Sequence, residues 1–218
     1  MRASDRAYAS LVEDIQTGML SPGAVIGEVE QAARLGVSRT PMREAIGRLV
    51  ADGLVRQQSA RIMVVAGFDA DDIRSLFEAR RALEESAARI AAQRGDPELF
   101  RALAEGFADA HPEDGPFATD AYYALIARFD AAVDHAVDNV YLIQALRPIR
   151  THLARARRLA RDNADRLRAS VAEHALIAEA IASRDPELAA HATHVHLHHA
   201  LASILGTIET SDRSEGSK

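Results

Sequence analysis

Leu35-Gly36-Val37-Ser38-Arg39-Thr40-Pro41-Met42-Arg43-Glu44-Ala45-Ile46 decides the fold of the first third of this chain. Gly36 can take the positive φ that ends one helix, Ser38 or Thr40 can cap the next, and Pro41 suits a first turn whose amides lack partners. A helix therefore starts here. Met42, Ala45, Ile46 and Leu49 recur at three- and four-residue spacing and form its buried stripe, which leaves Arg39, Thr40, Arg43 and Arg48 outward. Upstream, residues 7–17 and 28–35 read as two short helices separated by Gly18 and the break at Ser21-Pro22-Gly23. Downstream, residues 54–58 and 62–66 are apolar-rich runs around Ser59-Ala60-Arg61, the pattern of a two-stranded wing. Three helices and a hairpin predict a winged helix-turn-helix over residues 1–66, with an arginine-bearing helix suited to a DNA major groove.

Charge bounds how such a domain works. The chain has 218 residues and a formal charge of -6. Residues 1–66 hold eight arginines against seven acids, so this segment is near +1 and the remainder near -7. Attraction to phosphate is therefore modest, and useful affinity calls for two reading heads on one operator, hence a homodimer. There is no cysteine to build a disulfide framework. No cationic-then-apolar segment opens the chain, and no apolar run approaches the roughly 18 residues of a membrane helix, so a cytoplasmic protein with no membrane partner is expected.

From residue 69 the pattern is helical almost without relief. Residues 69–94, 97–109, 117–137, 140–161, 165–184 and 186–208 read as six helices, separated by Gly95-Asp96, a His111 to Gly115 loop, Asp138-Asn139, Asn163 and Asp185. The fold class is mostly α: the winged helix-turn-helix followed by an all-α six-helix bundle over 69–208. Residues 209–218, nearly devoid of apolar side chains, read as a frayed tail. Nothing in this half resembles a phosphate loop or a nucleophile elbow, so no enzyme is expected.

Histidine placement carries its own argument. His174 lies eleven residues before Asp185 and His196 eleven after it, so a helical hairpin turning at Asp185-Pro186 sets both at one height. Each arm is about 16 Å at 1.5 Å per residue. Two level imidazoles facing a carboxylate on a third helix supply donors that zinc, nickel or manganese accept. The neighbouring His191, His194, His198 and His199 spread around the helix axis and face outward.

These residues carry a family resemblance. Ala7-Tyr8 with Ile15, Gly18, Leu20, Pro22-Gly23, Glu28, the run from Leu35 to Pro41, Arg43-Glu44-Ala45, Leu49 and Gly53-Leu54-Val55 resemble the GntR superfamily of bacterial transcription regulators. Two positions depart from its pattern: Gln31 stands where a leucine is usual, and Arg61-Ile62 stand at the wing tip where a glycine is usual. The resemblance implies that Ser38, Arg39, Thr40, Arg43 and Arg48 contact DNA.

The second half resembles the FadR C-terminal domain, called FCD, the effector-binding domain of one GntR subfamily. The carriers are Phe77-Glu78-Ala79-Arg80 with Leu83-Glu84, Ala91-Ala92, Phe129 and Asn139, His152-Leu153 with Arg155, Arg157-Arg158-Leu159, His174 with Ile177, Ala180-Ile181, Asp185, and His196-Leu197. In many such domains an aspartate and a histidine four apart join two later histidines around a divalent metal. The aspartate position here is Ile126, and the histidine position is Asp130. The resemblance thus implies a site of Asp130, His174 and His196; the alternative is that the metal was lost with Ile126 and the histidines bond an organic ligand.

An acidic effector also needs a guanidinium, which pairs bidentately with a carboxylate. Arg80 and Arg155 lead, with Arg147 and Arg150 behind them, while Arg157, Arg158 and Arg161 belong to a solvated face. Arg80 could equally pair with Glu84. Tyr123 either reaches the effector or packs in the core. The effector set is then Arg80, Tyr123, Asp130, His152, Arg155, His174 and His196, for a small carboxylate. The whole reads as a one-component regulator of repressor type, with operator DNA, the effector and a second copy as partners. An effector-independent architectural DNA-binding protein is the alternative; a metal-dependent helical enzyme would leave residues 1–66 without a role.

Overall fold

The computed structural model describes residues 1–59, 62–67, 69–159 and 163–215, of which 157–159 and 210–215 are described by backbone alone. The chain divides into two compact units, Met1–Asp69 with Arg150–Ala156, and Ala70–Ile149 with the residues from Arg157 on.

In the first unit, α1 (Ala3–Thr17) buries Ala7, Leu11 and Ile15, spaced four apart on one face. It starts four residues earlier than its apolar stripe predicts, because the Asp5 carboxylate accepts the Arg2 amide and closes the first turn. Gly18 ends it at φ 75°. Next come α2 (Glu28–Arg34) and α3 (Arg39–Ala51). Between them Gly36 takes φ 62°, and the Val37 amide returns to the Ala32 carbonyl at 3.0 Å, a closure that needs the left-handed residue. Ser38 is the extended N-cap residue of α3, but its hydroxyl makes no capping bond. Met42, Ala45, Ile46 and Leu49 are buried beneath α3.

The wing is β1 (Val55–Ser59) antiparallel to β2 (Ile62–Val65), with Val55 opposite Val65 and an irregularity between Gln57 and Ser59. Leu11, Met42, Leu49, Leu54 and Val65 are fully buried in one core. Each contributes about 1.5–3 kcal/mol of burial. Gln31 is buried where a leucine is usual, and accepts from Arg34 Nε at 2.8 Å; Arg34 in turn pairs with Asp14. The polar substitution is thereby satisfied rather than left unpaired.

The second unit contains α4 (Ala70–Arg94), α5 (Pro97–Ala108), a 3₁₀ turn at Pro112–Asp114, α6 (Pro116–Val137), part of α7 (Val140–Leu159), α8 (Ala164–Ala182) and α9 (Pro186–Glu215). Pro148 lies inside α7, where it removes one helical hydrogen bond, and the division between the units falls just past it. α9 runs to Glu215, so the expected tail after residue 208 is helical to that point; residues 216–218 lie outside the described residues. α8 and α9 form the expected hairpin. Its turn holds Arg184 at φ 55°, and the Arg184 guanidinium donates to the carbonyls of Gln93 and Gly95 at the end of α4.

One carboxylate ties α8 to α9. Glu173 pairs with Arg166 at 2.6 Å on its own helix and accepts from His196 at 2.8 Å and His199 at 2.7 Å. Burial pushes its pKa up, but the hydrogen bonds from His196, Arg166 and His199 outweigh it and hold it at about 2. A carboxylate depressed from 4.5 to about 2 contributes stability that is complete above 4.5 and disappears as pH falls toward 2. Urea unfolding at stepped pH tests this. Wild type will lose stability between pH 4.5 and 2 more steeply than Glu173→Gln, and parallel curves would disprove the tie.

Candidate functional site

The start of α3 presents Ser38, Arg39, Thr40 and Arg43 to solvent. Arg39 and Arg43, one turn apart, have side chains 67% and 69% exposed. Both reach back to Glu28, the first residue of α2: Arg39 donates through Nε at 3.1 Å, and Arg43 through Nε at 3.2 Å and Nη2 at 3.0 Å. The Arg43 and Arg39 hydrogen bonds hold the Glu28 carboxyl below its ordinary value, against a smaller opposing effect of burial. Two guanidiniums on one carboxylate leave a net positive, donor-rich helix end, which matches phosphate oxygens and the acceptor edges of bases. Arg48 is held elsewhere. It lies over the Tyr8 ring at 4.0 Å and donates to Asp5 at 3.0 Å, while Tyr8 itself donates to Asp52 at 2.5 Å. That arrangement joins α1 to α3. Arg61 lies outside the described residues.

In the second unit the two histidines meet. The rings of His174 and His196 are 4.3 Å apart, and both side chains are buried. Phe107 stacks on His174 at 5.1 Å, with Phe129 and Tyr122 edge-on to it, so the pair sits against an aromatic wall. The His174 Nδ1 is 2.7 Å from the Ser170 carbonyl, which can only accept, and the His196 Nδ1 is 2.8 Å from the Glu173 carboxylate. Both imidazoles therefore carry their proton on Nδ1 and their lone pair on Nε2. Burial pushes the His196 imidazole below its ordinary value and keeps it neutral; the charges of Arg80 and Arg166 act in the same direction, and Glu173 opposes them. Tyr122 adds a hydroxyl, 3.0 Å from His174 Nδ1 and donating to Ser170 at 2.7 Å.

Arg80 is 2% exposed. It pairs with Glu84 through Nε at 2.9 Å and Nη2 at 3.1 Å and lies over Phe77, while its Nη1 is buried with no hydrogen-bond partner. The expected pair with Glu84 is made on one edge of the guanidinium, and an unused donor remains on the other. An orphaned buried donor on a cation calls for an anionic acceptor.

Asp130 is half-buried on α6, and Ile126, one turn before it, is buried in the apolar core. Among the described residues no group of three histidines, aspartates or glutamates could hold a metal. The triad of Asp130, His174 and His196 is therefore not assembled: two nitrogen donors come together, the third ligand does not, and the nearby charge is that of Arg80 and Arg166. These residues do not fit a resident divalent metal. His152 and Arg155 belong to the first unit: His152 Nε2 is 2.7 Å from the Asp52 carbonyl, and Arg155 donates to the Ala66 carbonyl. Tyr123 is half-buried and packs beside Tyr122, its ring 5.9 Å away.

Of the other histidines, His191, His198 and His199 are exposed, and His194 pairs with Glu85 at 2.9 Å. A groove of about 550 Å³ between α4 and α9 is lined by Phe77, Leu197, Leu201 and charged neighbours, and holds none of the expected effector residues. Sequence reading missed Glu28, Tyr122, Arg166, Ser170 and Glu173. Ser170, Glu173 and His174 share one face of α8 at three- and four-residue spacing, which is a usable signal. Glu28 offers none, being eleven and fifteen residues from its partners.

Comparison with known proteins agrees with this division. Residues 3–65 match the family of bacterial regulatory proteins, gntR family, and residues 75–199 match the FCD domain. The "Nta operon transcriptional regulator" of Aminobacter aminovorans is 32% identical over 136 residues, 62% of this chain and 64% of that protein, so the chain spans slightly less than two thirds of its length. The "Probable D-xylose utilization operon transcriptional repressor" of Paenarthrobacter nicotinovorans is 30% identical over 196 residues, 86% of this chain and 82% of that protein. Among solved structures, E. coli McbR/YncC shares the fold with a TM-score of 0.78 at 20% identity, over 94% of this chain and 97% of that one. Among the described residues no helix is long and apolar enough to cross a membrane. The chain belongs to the GntR family of DNA-binding transcription regulators and carries an FCD domain.

Proposed function

We propose that this protein is a dimeric repressor in the cytoplasm that binds a pseudo-palindromic operator and is controlled by a small carboxylate held in its second unit. The paired, exposed Arg39 and Arg43 at the start of α3 carry the DNA half of this reading. Each recognition helix enters a major groove, with Arg39 and Arg43 on base edges and Ser38 and Thr40 on phosphate. Arg48, engaged by Tyr8 and Asp5, supports the helix from behind. Two heads, each near neutral in total charge, supply together the affinity that one lacks.

The effector half rests on the unpartnered Nη1 of buried Arg80. The effector's carboxylate accepts from it, and a hydroxyl or amine on the same molecule donates to Nε2 of His196. No metal takes part in this reading, because the built-in cation supplies the positive charge. Tyr123, beside Tyr122, shapes the rim, and Asp130 disfavours a second carboxylate on its side. Effector binding then biases the placement of the two reading heads, a coupling of about 1–3 kcal/mol in such systems.

Two measurements test these halves separately. Arg39→Ala will weaken retardation of a duplex selected by the wild-type protein at least about tenfold, since each lost base contact costs about 1–3 kcal/mol. Its elution volume on size exclusion will stay that of the wild type, and unchanged retardation would remove Arg39 from the interface. In a thermal-shift panel of carboxylic acids, a true effector at a hundredfold excess over its Kd stabilises by about 2.7 kcal/mol. We expect that shift to persist in EDTA and to vanish in Arg80→Lys. A flat panel would favour the architectural protein, and a shift abolished by EDTA would restore the metal.

A further inference from the structure

The arginines expected to read DNA are not loose. Arg39 and Arg43 reach from α3 to a single carboxylate on a different helix, Glu28 at the start of α2. Arg43 meets it with Nε and Nη2, the inner edge of a planar fork, which turns the Nη1 donors to the far side. Arg39 meets it with Nε alone, leaving both terminal nitrogens beyond the contact. The Glu28 side chain is 26% exposed and sits beneath two side chains more than twice as exposed. The inner edges are thus occupied and the outer edges presented.

We propose that Glu28 is a positioning residue for DNA reading, which orients the forks of Arg39 and Arg43 and subtracts one charge from the pair so that base edges are favoured over phosphate alone. The inference rests on Arg39 and Arg43 reading DNA. Two consequences follow from the geometry. A base edge that accepts from the outer donors leaves the Glu28 contacts intact, so the oriented forks bind without first being ordered. A bare phosphate gains less, because the carboxylate beside the guanidiniums repels it and has already neutralised one of them. Glu28 therefore weakens indiscriminate binding more than selective binding, which is how a repulsive element produces specificity.

The test uses the full chain and two DNA probes: a duplex enriched by the wild-type protein from a randomised library, and a duplex of random sequence. Dissociation constants are read by fluorescence anisotropy across a salt series for wild type, Glu28→Gln and Glu28→Ala. In Glu28→Gln, which keeps shape and an acceptor oxygen, binding to the random duplex should tighten several-fold. Its slope of log K against log salt should steepen by about one per head, because one more phosphate charge is matched. The ratio between the two duplexes should fall about tenfold. In Glu28→Ala the selected duplex should also bind more weakly, while urea midpoints stay near wild type. An unchanged ratio in both variants, or equal weakening on both duplexes, would overturn the role of Glu28 while leaving DNA binding intact. A wild-type protein that enriches no sequence would overturn the reading by Arg39 and Arg43 as well.

Discussion

The turn at Arg184 sets the height of the buried polar cluster in the second unit. A non-glycine residue at φ 55° costs about 1–2 kcal/mol, and the Arg184 side chain offsets this by donating to two carbonyls at the end of α4. With that turn fixed, equal arms of eleven residues bring His174 and His196 within 4.3 Å between ring centres. A slip of one residue in either helix would rotate its histidine by about 100° and dissolve the pair. The Glu173 tie, the Nδ1 proton positions and the aromatic wall all presuppose this register.

Carboxylates organise arginines at several places among the described residues, and burial decides what each instance does. Glu84 with Arg80 and Glu173 with Arg166 lie inside the second unit, where desolvated charge makes a missing partner costly. Glu28 with Arg39 and Arg43 lies at the surface, where an ion pair contributes about 0–1 kcal/mol. The surface pair is therefore a poor source of stability and an effective source of orientation. Of the buried ones, Glu173 also accepts from His196 and His199 and so ties α8 to α9, while the pair of Arg80 and Glu84 stays within α4 and leaves one donor unused.

Local patterns were legible in the sequence and distant ones were not. Gly36, Ser38 and the stripe from Met42 to Leu49 announce α3 because capping and burial act within a few residues. The hairpin symmetry of His174 and His196 is equally local, a matter of counting from Asp185. By contrast, the role of Asp130 was read from its spacing to Asn139, which fixes its place on α6 and not the partners of its carboxylate. His152 and Arg155 share the helix face of an effector domain in sequence, yet they bond the carbonyls of Asp52 and Ala66, about ninety to a hundred residues away. Glu28 escaped because its partners depend on the angle between α2 and α3, which no periodicity encodes. The continuation of α9 to Glu215 escaped because polar helical turns lack the apolar stripe by which helices are found.

Residues 150–156 of α7 complete the first unit, so the DNA-reading unit is discontinuous along the chain. During synthesis the apolar core of the winged helix, drawn from residues 7–65, is complete when residue 69 leaves the ribosome, but the Asp52 and Ala66 carbonyls wait for His152 and Arg155 until the intervening stretch has been made. Closing a loop of that length is inexpensive, since its entropy grows only with the logarithm of chain length. A fragment that stops at Asp69 would keep that core and leave the two carbonyls to water.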